Sequence, residues 1–387
     1  MEYIKRLLDI QLPRGQSAFL WGPRKTGKSL YLKKRFADSL VFDFLKTDLF
    51  IEISRNPGLL RERILAQSKK ILEKPIILDE VQKVPQVLDE VHWMIENKGL
   101  QFILCGSSAR KLKRGHGNLL GGRAWRYEMF PLVTVELKNV DLLLSLNHGM
   151  IPAHYLQDYQ GCIRTLKAYV QDYLKEEVFD EGLTRSIPAF SRFFESFGYS
   201  HGELTNYSNI ARDCGIDSKT VKEYYQILID TLVAVRIDPY KKIQSRNVIT
   251  RAPKYYLFDV GVANYLRKQK IEIEKGKEFG KALEHFILME LLAYRSYAER
   301  EFNINFWRTK TGLEVDFILA DGEVAIEVKG TNRIDIRDFK SLLAFSEEYS
   351  TKRSIIVCNE KEKRLHGRTE VLPWDAFLKQ LWDGSIL

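Results

Sequence analysis

Residues 22–29 read Gly22-Pro23-Arg24-Lys25-Thr26-Gly27-Lys28-Ser29, and this stretch decides the fold of the first part of the chain. It fits the pattern G-x-x-x-x-G-K-[ST], with an apolar run before it and helical apolar spacing after it. This context predicts a strand, a tight loop and a helix, with loop amides directed at phosphate oxygens. We assign the octapeptide and Leu30 to nucleotide binding. Lys28 is the expected catalytic contact to the β- and γ-phosphates, and the Ser29 hydroxyl is expected to ligate Mg²⁺.

A second motif follows at Pro75-Ile76-Ile77-Leu78-Asp79-Glu80. An apolar run that ends in two acids predicts a buried parallel strand whose carboxyl end lies at a site. Asp79 is expected to hold Mg²⁺ through water, and Glu80 to polarise the water that attacks the γ-phosphate. The alternative is a strand followed by a polar turn, which the phosphate loop upstream disfavours.

A third apolar run, at 101–105, leads into Gly106-Ser107-Ser108. A small polar residue at this strand end is suited to sense the γ-phosphate or to position the water, and Ser107 is the first candidate for that catalytic role. An ordinary helix N-cap is the alternative, and the two roles are compatible.

The segment 110–126 is basic, rich in glycine and free of acidic residues. Arg123 is its best candidate for an arginine finger that neutralises charge on the nucleotide of a neighbouring subunit. A solvated loop, or a contact to a nucleic-acid backbone, explains the same composition. A homo-oligomer is therefore a hypothesis, and the oligomeric state stays open.

Composition bounds the class of protein. The 387 residues are 45% apolar and carry a formal net charge of +9, which permits a polyanionic partner without requiring one. No apolar run is long enough to span a bilayer, and the first residues lack the apolar core of a signal peptide. The four cysteines show no C-x-x-C spacing, which indicates neither a zinc site nor a disulfide framework. A reduced cytoplasmic protein is the expectation.

The chain divides into three predicted parts. Strands at 17–22, 39–44, 75–80, 101–105 and 125–130 alternate with helical segments, which predicts an α/β domain with a parallel sheet over residues 1–150. Residues 151–275 are predominantly helical and include a winged helix at about 203–258. Residues 276–387 form a further α/β unit.

The predicted winged helix has a short helix from Asn206, a turn at Gly215, a second helix capped by Ser218, and a strand at 233–237. The basic stretch that follows would form the wing. In the DNA-docking interpretation, the second helix enters the major groove and the wing contacts phosphate. The alternative is a packing module or a protein contact. The candidate DNA contacts are Ser218, Lys219, Lys222, Lys241, Lys242 and Arg246.

The last part places acids on alternate strand positions. Glu284 lies on a predicted helix, and Glu314-Val315-Asp316 and Glu327-Val328-Lys329 lie on two successive strands. Side chains at alternate positions share a face, so these groups converge if the strands are neighbours. Converging carboxylates bind Mg²⁺, which generates hydroxide for phosphodiester attack. The alternative is the solvent face of an antiparallel strand.

These motifs resemble those of the prokaryotic AAA-type ATPases that carry a carboxy-terminal domain of unknown function. The marks are the phosphate loop, Ile77 to Gln82, Cys105 to Ser108, Gly122-Arg123, Asn206 to Asp213, and Phe258 to Gly261. The last part resembles the PD-(D/E)XK nuclease fold, with Asp316, Glu327 and Lys329 at its signature positions and Glu284 on the leading helix. A strict pattern requires a proline before Asp316, and this chain has none there. The resemblance implies a P-loop sheet, a helical middle and a restriction-endonuclease-like domain.

We therefore expect an ATPase that uses ATP and Mg²⁺ and acts on DNA. Two alternatives stay open: a nucleotide switch whose carboxy-terminal fold only binds a partner, and an assembly or regulatory ATPase with protein partners only.

Overall fold

The computed structural model describes residues 3–108, 120–173, 186–241 and 252–387. Its first sheet has five strands: β1 (Ser17–Trp21), β2 (Val41–Asp43), β3 (Ile76–Asp79), β4 (Phe102–Gly106) and β5 (Ala124–Glu128). All pair in parallel in the order β2-β3-β4-β1-β5. The predicted parallel α/β sheet is confirmed, and each predicted strand is found within two residues at both ends.

Apolar alternation in β1 explains why helices cover both faces of this sheet. Phe19 and Trp21 join one buried cluster, whereas Ala18 and Leu20 join the cluster on the opposite face. The helices of this part are α1 (Lys28–Arg35), α2 (Thr47–Arg55), α3 (Gly58–Leu65), α4 (Lys69–Leu72) and α5 (Val87–Lys98).

The middle of the chain is mainly helical, as expected. Its helices are α6 (Leu142–His148), α7 (Pro152–Tyr155), α8 (Tyr159–Ala168), which continues as a π-helical turn (Tyr169–Tyr173), α9 (Ile187–Ser200), α10 (Tyr207–Cys214), α11 (Ser218–Asp230) and α12 (Val260–Leu266). Their core is aromatic, because Phe190, Phe193 and Phe197 of α9 pack on Tyr224 and Tyr225 of α11.

Helices α10 and α11 form the predicted helix-turn-helix. Gly215 closes α10 with φ 66°, a left-handed conformation that glycine adopts without strain. The predicted cap of α11 was wrong by one residue: Asp217 is the N-cap and accepts the amides of Lys219 and Thr220, so Ser218 is the first helical residue. The Asp217 carboxylate satisfies two amides, and its negative charge is favourable at the positive end of the helix.

Two antiparallel strands follow, β6 (Ala234–Pro239) and β7 (Lys254–Leu257). Two helices and such a pair are the elements that a winged helix needs. The predicted wing, including Lys242 and Arg246, lies in 242–251, outside the described residues.

A second, eight-stranded sheet joins the middle to the last part. Its remaining strands are β8 (Ile304–Arg308), β9 (Glu314–Leu319), β10 (Val324–Val328), β11 (Arg353–Cys358), β12 (Arg364–His366) and β13 (Thr369–Pro373), in the order β12-β13-β11-β10-β9-β8-β6-β7. The helices here are α13 (Lys277–Tyr297), α14 (Lys340–Glu348) and α15 (Trp374–Trp382). Buried residues of α13 pack on one face of the sheet and those of α14 on the other.

Among the helices in the described part of the chain, none combines the length and the apolar character needed to cross a membrane.

Candidate functional site

The phosphate loop lies between the carboxyl end of β1 and the start of α1. Gly27 precedes α1 with φ 96°, and a Cβ on Gly22 would lie 2.4 Å from the carbonyl oxygen of Met129. Both positions therefore require glycine. The buried Lys28 turns into the loop, where its Nζ donates to the carbonyl oxygens of Gly22 at 2.7 Å and Pro23 at 3.0 Å. The ammonium thus lies at the centre of the loop.

The loop is also held from outside by Arg6, which sequence reasoning missed. Its guanidinium donates to the carbonyl oxygen of Thr26 at 2.5 Å and to that of Phe130 at 2.7 Å, and it pairs with Glu136 at 3.0 Å. Both members of this ion pair are buried. No motif marks Arg6, because its partners Phe130 and Glu136 are more than a hundred residues away in sequence and its contact with Thr26 is to a backbone carbonyl.

The two acids at the end of β3 lie at the carboxyl edge of the first sheet, where β4 separates β3 from the phosphate-loop strand β1. Asp79 and Glu80 are buried, and Glu80 has φ 57°, a left-handed conformation that costs a non-glycine residue about 1 kcal/mol. Strain of this kind persists where the surrounding structure fixes the residue, and it is frequent at functional sites.

The side chain of Gln82 holds both Glu80 and Ser107, the predicted γ-phosphate sensor. Its Nε2 donates to Glu80 Oε2 at 2.5 Å and to Ser107 Oγ at 3.1 Å. A Cβ on Gly106 would lie 2.4 Å from Gln82 Oε1, so glycine at 106 makes room for the amide. The sequence marks Gln82 only through the family resemblance and predicts no role for it, although its position two residues after Glu80 was the available signal.

Ser29 and Leu30 are exposed at the start of α1, on the open side of the loop. The predicted finger Arg123 is about 38% exposed and pairs with Glu96 of the same chain. An exposed pair of this kind is worth at most about 1 kcal/mol, so it leaves Arg123 free to exchange partners. Residues 109–119 of the basic segment lie outside the described residues.

The helix-turn-helix exposes two of the predicted DNA contacts. Lys219 and Lys222 are exposed on the first turns of α11, and the Lys222 ammonium lies 5.2 Å from the centre of the Tyr207 ring. Ser218 is half-buried, and Lys241 is exposed after β6.

The four predicted nuclease residues converge on one cavity of about 350 Å³. Glu284 comes from α13, Asp316 from β9, and Glu327 and Lys329 from the end of β10. The convergence follows from the pairing of β9 with β10 as antiparallel neighbours. Lys329 Nζ pairs with Glu327 Oε1 at 2.6 Å, and Asp316 Oδ2 accepts the amide of Val328 at 2.7 Å.

A second lysine, Lys254 of β7, enters this cavity and was not predicted. It is buried and pairs with Glu314 and, at 3.5 Å, with Glu284. Tyr256 donates to Glu284 Oε1 at 2.5 Å. Burial alone would lower the pKa of Lys254, but the neighbouring Tyr256, Glu284 and Glu314 raise it well above its ordinary value, so the ammonium keeps its charge.

The carboxyl groups respond to the same burial. The pKa of Asp316 is raised well above its ordinary value by burial and by the nearby Glu284, and that of Glu327 is raised by burial to about 7. Within the described ranges, no three His, Cys, Asp or Glu side chains are arranged to hold a metal ion. A lysine ammonium lies among these acids, and the Mg²⁺ site expected here stays a prediction.

Three family models match successive parts of the chain. Residues 14–138 match the model of a family described as AAA domain, residues 141–272 match a domain of unknown function (DUF8612), and residues 279–377 match another (DUF4143). The amino-terminal part is therefore a P-loop ATPase domain of the AAA type, a class that binds nucleotide. A DUF4143 region lies at the carboxyl side.

Two curated relatives span most of the chain. They are the uncharacterized proteins Rv2008c of Mycobacterium tuberculosis and Mb2031c of Mycobacterium bovis, each 24% identical over 343 residues, covering 86% of this chain and 74% of the relative. Among solved structures, the Aeropyrum pernix ORC1 protein in complex with DNA is 10% identical with a TM-score of 0.28, covering 66% of this chain and 87% of that one. The Pyrococcus horikoshii STAND protein PH0952 is 12% identical with a TM-score of 0.18, and the match covers 74% of this chain and 46% of that one. At these TM-scores, neither structural likeness carries an argument.

Proposed function

We propose that the chain binds MgATP in the loop 22–29 and hydrolyses it. The network in which Gln82 holds both Glu80 and Ser107 carries this proposal, because it fixes a carboxylate and a hydroxyl at the ends of neighbouring strands. Glu80 would orient and polarise the attacking water, and Ser107 would contact the γ-phosphate. Lys28 would exchange its loop carbonyls for phosphate oxygens.

Ser29 and Asp79 would hold the metal, Ser29 directly and Asp79 through water. A bound Mg²⁺ supplies positive charge to the phosphate oxygens. The residues suit the ion, because Ser29 lies exposed beside the loop and Asp79 is a buried oxygen donor at the end of β3.

The helical middle would transmit the nucleotide state. The buried Tyr169 places its ring 5.6 Å from the Lys25 ammonium, and its hydroxyl donates to the carbonyl oxygen of Arg24 at 3.5 Å. The ring also packs on His154 and Phe258. A change in the loop on hydrolysis would therefore reach α7 and the start of α12 through one side chain.

The output would be nucleotide-dependent DNA binding through Lys219, Lys222 and Lys241, with the nuclease-like unit as a binding module. The exposure of α11 and the net charge of +9 support this proposal. The competing function is an assembly ATPase with protein partners only. A second competing function is DNA cleavage, which the convergence of Asp316, Glu327 and Lys329 favours and the buried Lys254 disfavours.

Hydrolysis and DNA retention separate these functions. Lys28→Ala is expected to lose ATP binding, whereas Glu80→Gln is expected to bind ATP and to hydrolyse it at least a hundredfold more slowly. Plasmid should stay intact with Mg²⁺ or Mn²⁺ for wild type and for Asp316→Ala. Retained ATP affinity in Lys28→Ala would overturn the site assignment, and a metal-dependent nick lost in Asp316→Ala would establish the nuclease.

A triple variant tests the DNA contacts. Substituting Lys219, Lys222 and Lys241 by Gln should weaken DNA retention at low salt, since each phosphate contact adds to the salt slope. The matched control substitutes three exposed lysines of the amino-terminal domain, Lys33, Lys34 and Lys98, by Gln. Equal retention by wild type and the triple variant would favour protein partners only.

A further inference from the structure

The end of helix α13 lies behind the phosphate loop. Tyr297 is its last residue, and the Tyr297 hydroxyl oxygen accepts the backbone amide of Phe130 at 3.0 Å, while the two rings pack edge to face. The Arg6 guanidinium donates to the same hydroxyl at 3.4 Å. Burial raises the pKa of Tyr297 above its ordinary value, so the hydroxyl stays neutral. One hydroxyl group of α13 therefore contacts both Arg6 and the backbone after β5.

The Arg6 guanidinium sets the direction of one peptide group in the loop. It donates to the carbonyl oxygen of Thr26 at 2.5 Å. The carbonyl and the amide of a trans peptide point in opposite directions, so a Thr26 carbonyl drawn outward turns the amide of Gly27 inward, toward a bound phosphate. Glu136 pairs with Arg6 at 3.0 Å with both side chains buried, and this ion pair fixes the guanidinium in place.

The backbone after β5 also contacts the start of the loop. A Cβ on Gly22 would lie 2.4 Å from the carbonyl oxygen of Met129, so the first residue of the loop packs directly on this segment. The next carbonyl oxygen, that of Phe130, accepts from Arg6 at 2.7 Å. A shift of Phe130 therefore reaches the loop at two points, at Gly22 directly and at Thr26 through Arg6.

Helix α13 holds the same segment at a second position, two turns earlier. Glu290 accepts the amide of Thr134 at 2.8 Å and its hydroxyl at 3.1 Å. Residues seven apart lie on one face of a helix, so Glu290 and Tyr297 face the segment together. The first half of α13 carries Glu284 into the carboxy-terminal cavity. One continuous helix thus joins that cavity to the backbone behind the phosphate loop.

We propose that Tyr297 is a positioning residue for the phosphate loop, and that through it α13 sets the affinity of the loop for ATP. Tyr297 acts through Arg6 and Phe130 and does not enter the reaction, so its loss should alter ATP affinity and leave the hydrolytic step unchanged. By linkage, a ligand that moves α13 changes ATP affinity, and ATP changes the affinity for that ligand by the same factor. This inference rests on the proposed function, because it assigns regulation to the same site.

The experiment compares Tyr297→Phe with wild type, by calorimetric titration with a non-hydrolysable ATP analogue and by steady-state hydrolysis of ATP. Phenylalanine keeps the ring and removes only the hydroxyl. We expect the variant to bind the analogue about fivefold more weakly, the effect of one lost hydrogen bond, with an unchanged kcat. The control is Tyr294→Phe, since Tyr294 is a buried tyrosine in the same turn that packs on Trp382, and it should bind as wild type does.

Hydrogen exchange gives a readout that a merely structural role would not move. In wild type, the analogue should slow exchange at the amides of residues 293–297 as well as in the loop. In Tyr297→Phe, the slowing should be confined to the loop, because the contact that carries the change to α13 is gone. Urea unfolding of each variant shows that it is folded before it is titrated.

Two results would overturn the inference. The first is a folded Tyr297→Phe protein that binds the analogue with wild-type affinity. The second is a wild-type protein in which the analogue protects the loop and leaves residues 293–297 unchanged, a result that requires no variant. Failure of the proposed function is distinguishable from both, because wild type would then bind no analogue, and both proposals would fall together.

Discussion

The side-chain amide of Gln82 donates to the hydroxyl of Ser107 at 3.1 Å, across a sequence separation of 25 residues. The same amide nitrogen donates to Glu80, and all three side chains are buried. The positions of the proposed base and of the proposed γ-phosphate sensor are therefore not independent. A displacement of one moves the other through a single amide group.

Gln82→Ala should slow ATP hydrolysis by roughly ten- to a hundredfold with little change in ATP affinity, because the amide orients Glu80 and is not itself expected to contact the nucleotide. The measurement is kcat and KM in a phosphate-release assay. Gln67→Ala is the control, since the side-chain amide of Gln67 is exposed and donates to the carbonyl of Arg63 nearby in sequence. A rise in KM with an unchanged kcat would contradict a positioning role.

Tyr169→Ala should weaken ATP binding several-fold, because it removes both contacts to the loop, and Tyr169→Phe should retain the cation–π part. Binding of a fluorescent ATP analogue measures both. Tyr199→Ala is the control, as Tyr199 is 64% exposed. Unchanged affinity in both Tyr169 variants would mean that the helical middle does not communicate with the loop.

Arg6→Ala should lower the free energy of unfolding by about 3–5 kcal/mol, because it leaves the buried Glu136 without its cation. Arg35→Ala removes a half-exposed pair with Asp9 and should cost at most about 1 kcal/mol. Urea unfolding compares the two. Similar losses would show that the Arg6 pair is not buried in solution.

Glu290 predicts a pH dependence of stability. It is buried, accepts hydrogen bonds from Thr134 and Trp382, and has a pKa raised by burial to about 7. The folded state therefore holds this proton more tightly than the unfolded state does, so the contribution to stability is present at low pH and is lost as pH rises toward 7. The total change is roughly 3 kcal/mol.

The variant Glu290→Gln removes that titration. Wild type should lose stability relative to Glu290→Gln as pH rises from about 5 to 7.5, as measured by urea unfolding at each pH. A constant difference between the two proteins over that range would contradict the raised pKa.

Local sequence patterns predicted most of the strands and helices, although the N-cap of α11 was misplaced by one residue. The loop 22–29 and the acids at Asp79 and Glu80 were placed correctly, because a glycine-rich turn and an apolar run carry their own geometry. Arg6, Gln82 and Lys254 were missed as site residues. Their roles depend on partners from other elements, and no spacing in one sequence encodes such a meeting.

The division between the middle and the last part was also drawn from local pattern. The predicted boundary at 275 follows a change in periodicity, yet β6 pairs with β8 through Asp238 and Asn305, and the sheet runs on. Side chains cross the same line, because His201 bonds to His285 and Lys254 pairs with Glu314. Pairing between distant strands is decided by tertiary packing, which periodicity does not contain.

The junction of β6 with β8 bears on how this polypeptide can be cut for expression. A fragment ending at residue 275 would expose an unsatisfied strand edge and the apolar side of Tyr256, and a fragment starting at 276 would bare the complementary edge of β8. Unpaired edges of this kind recruit other chains. We therefore expect either portion expressed alone to aggregate, whereas the intact polypeptide keeps the two strands paired.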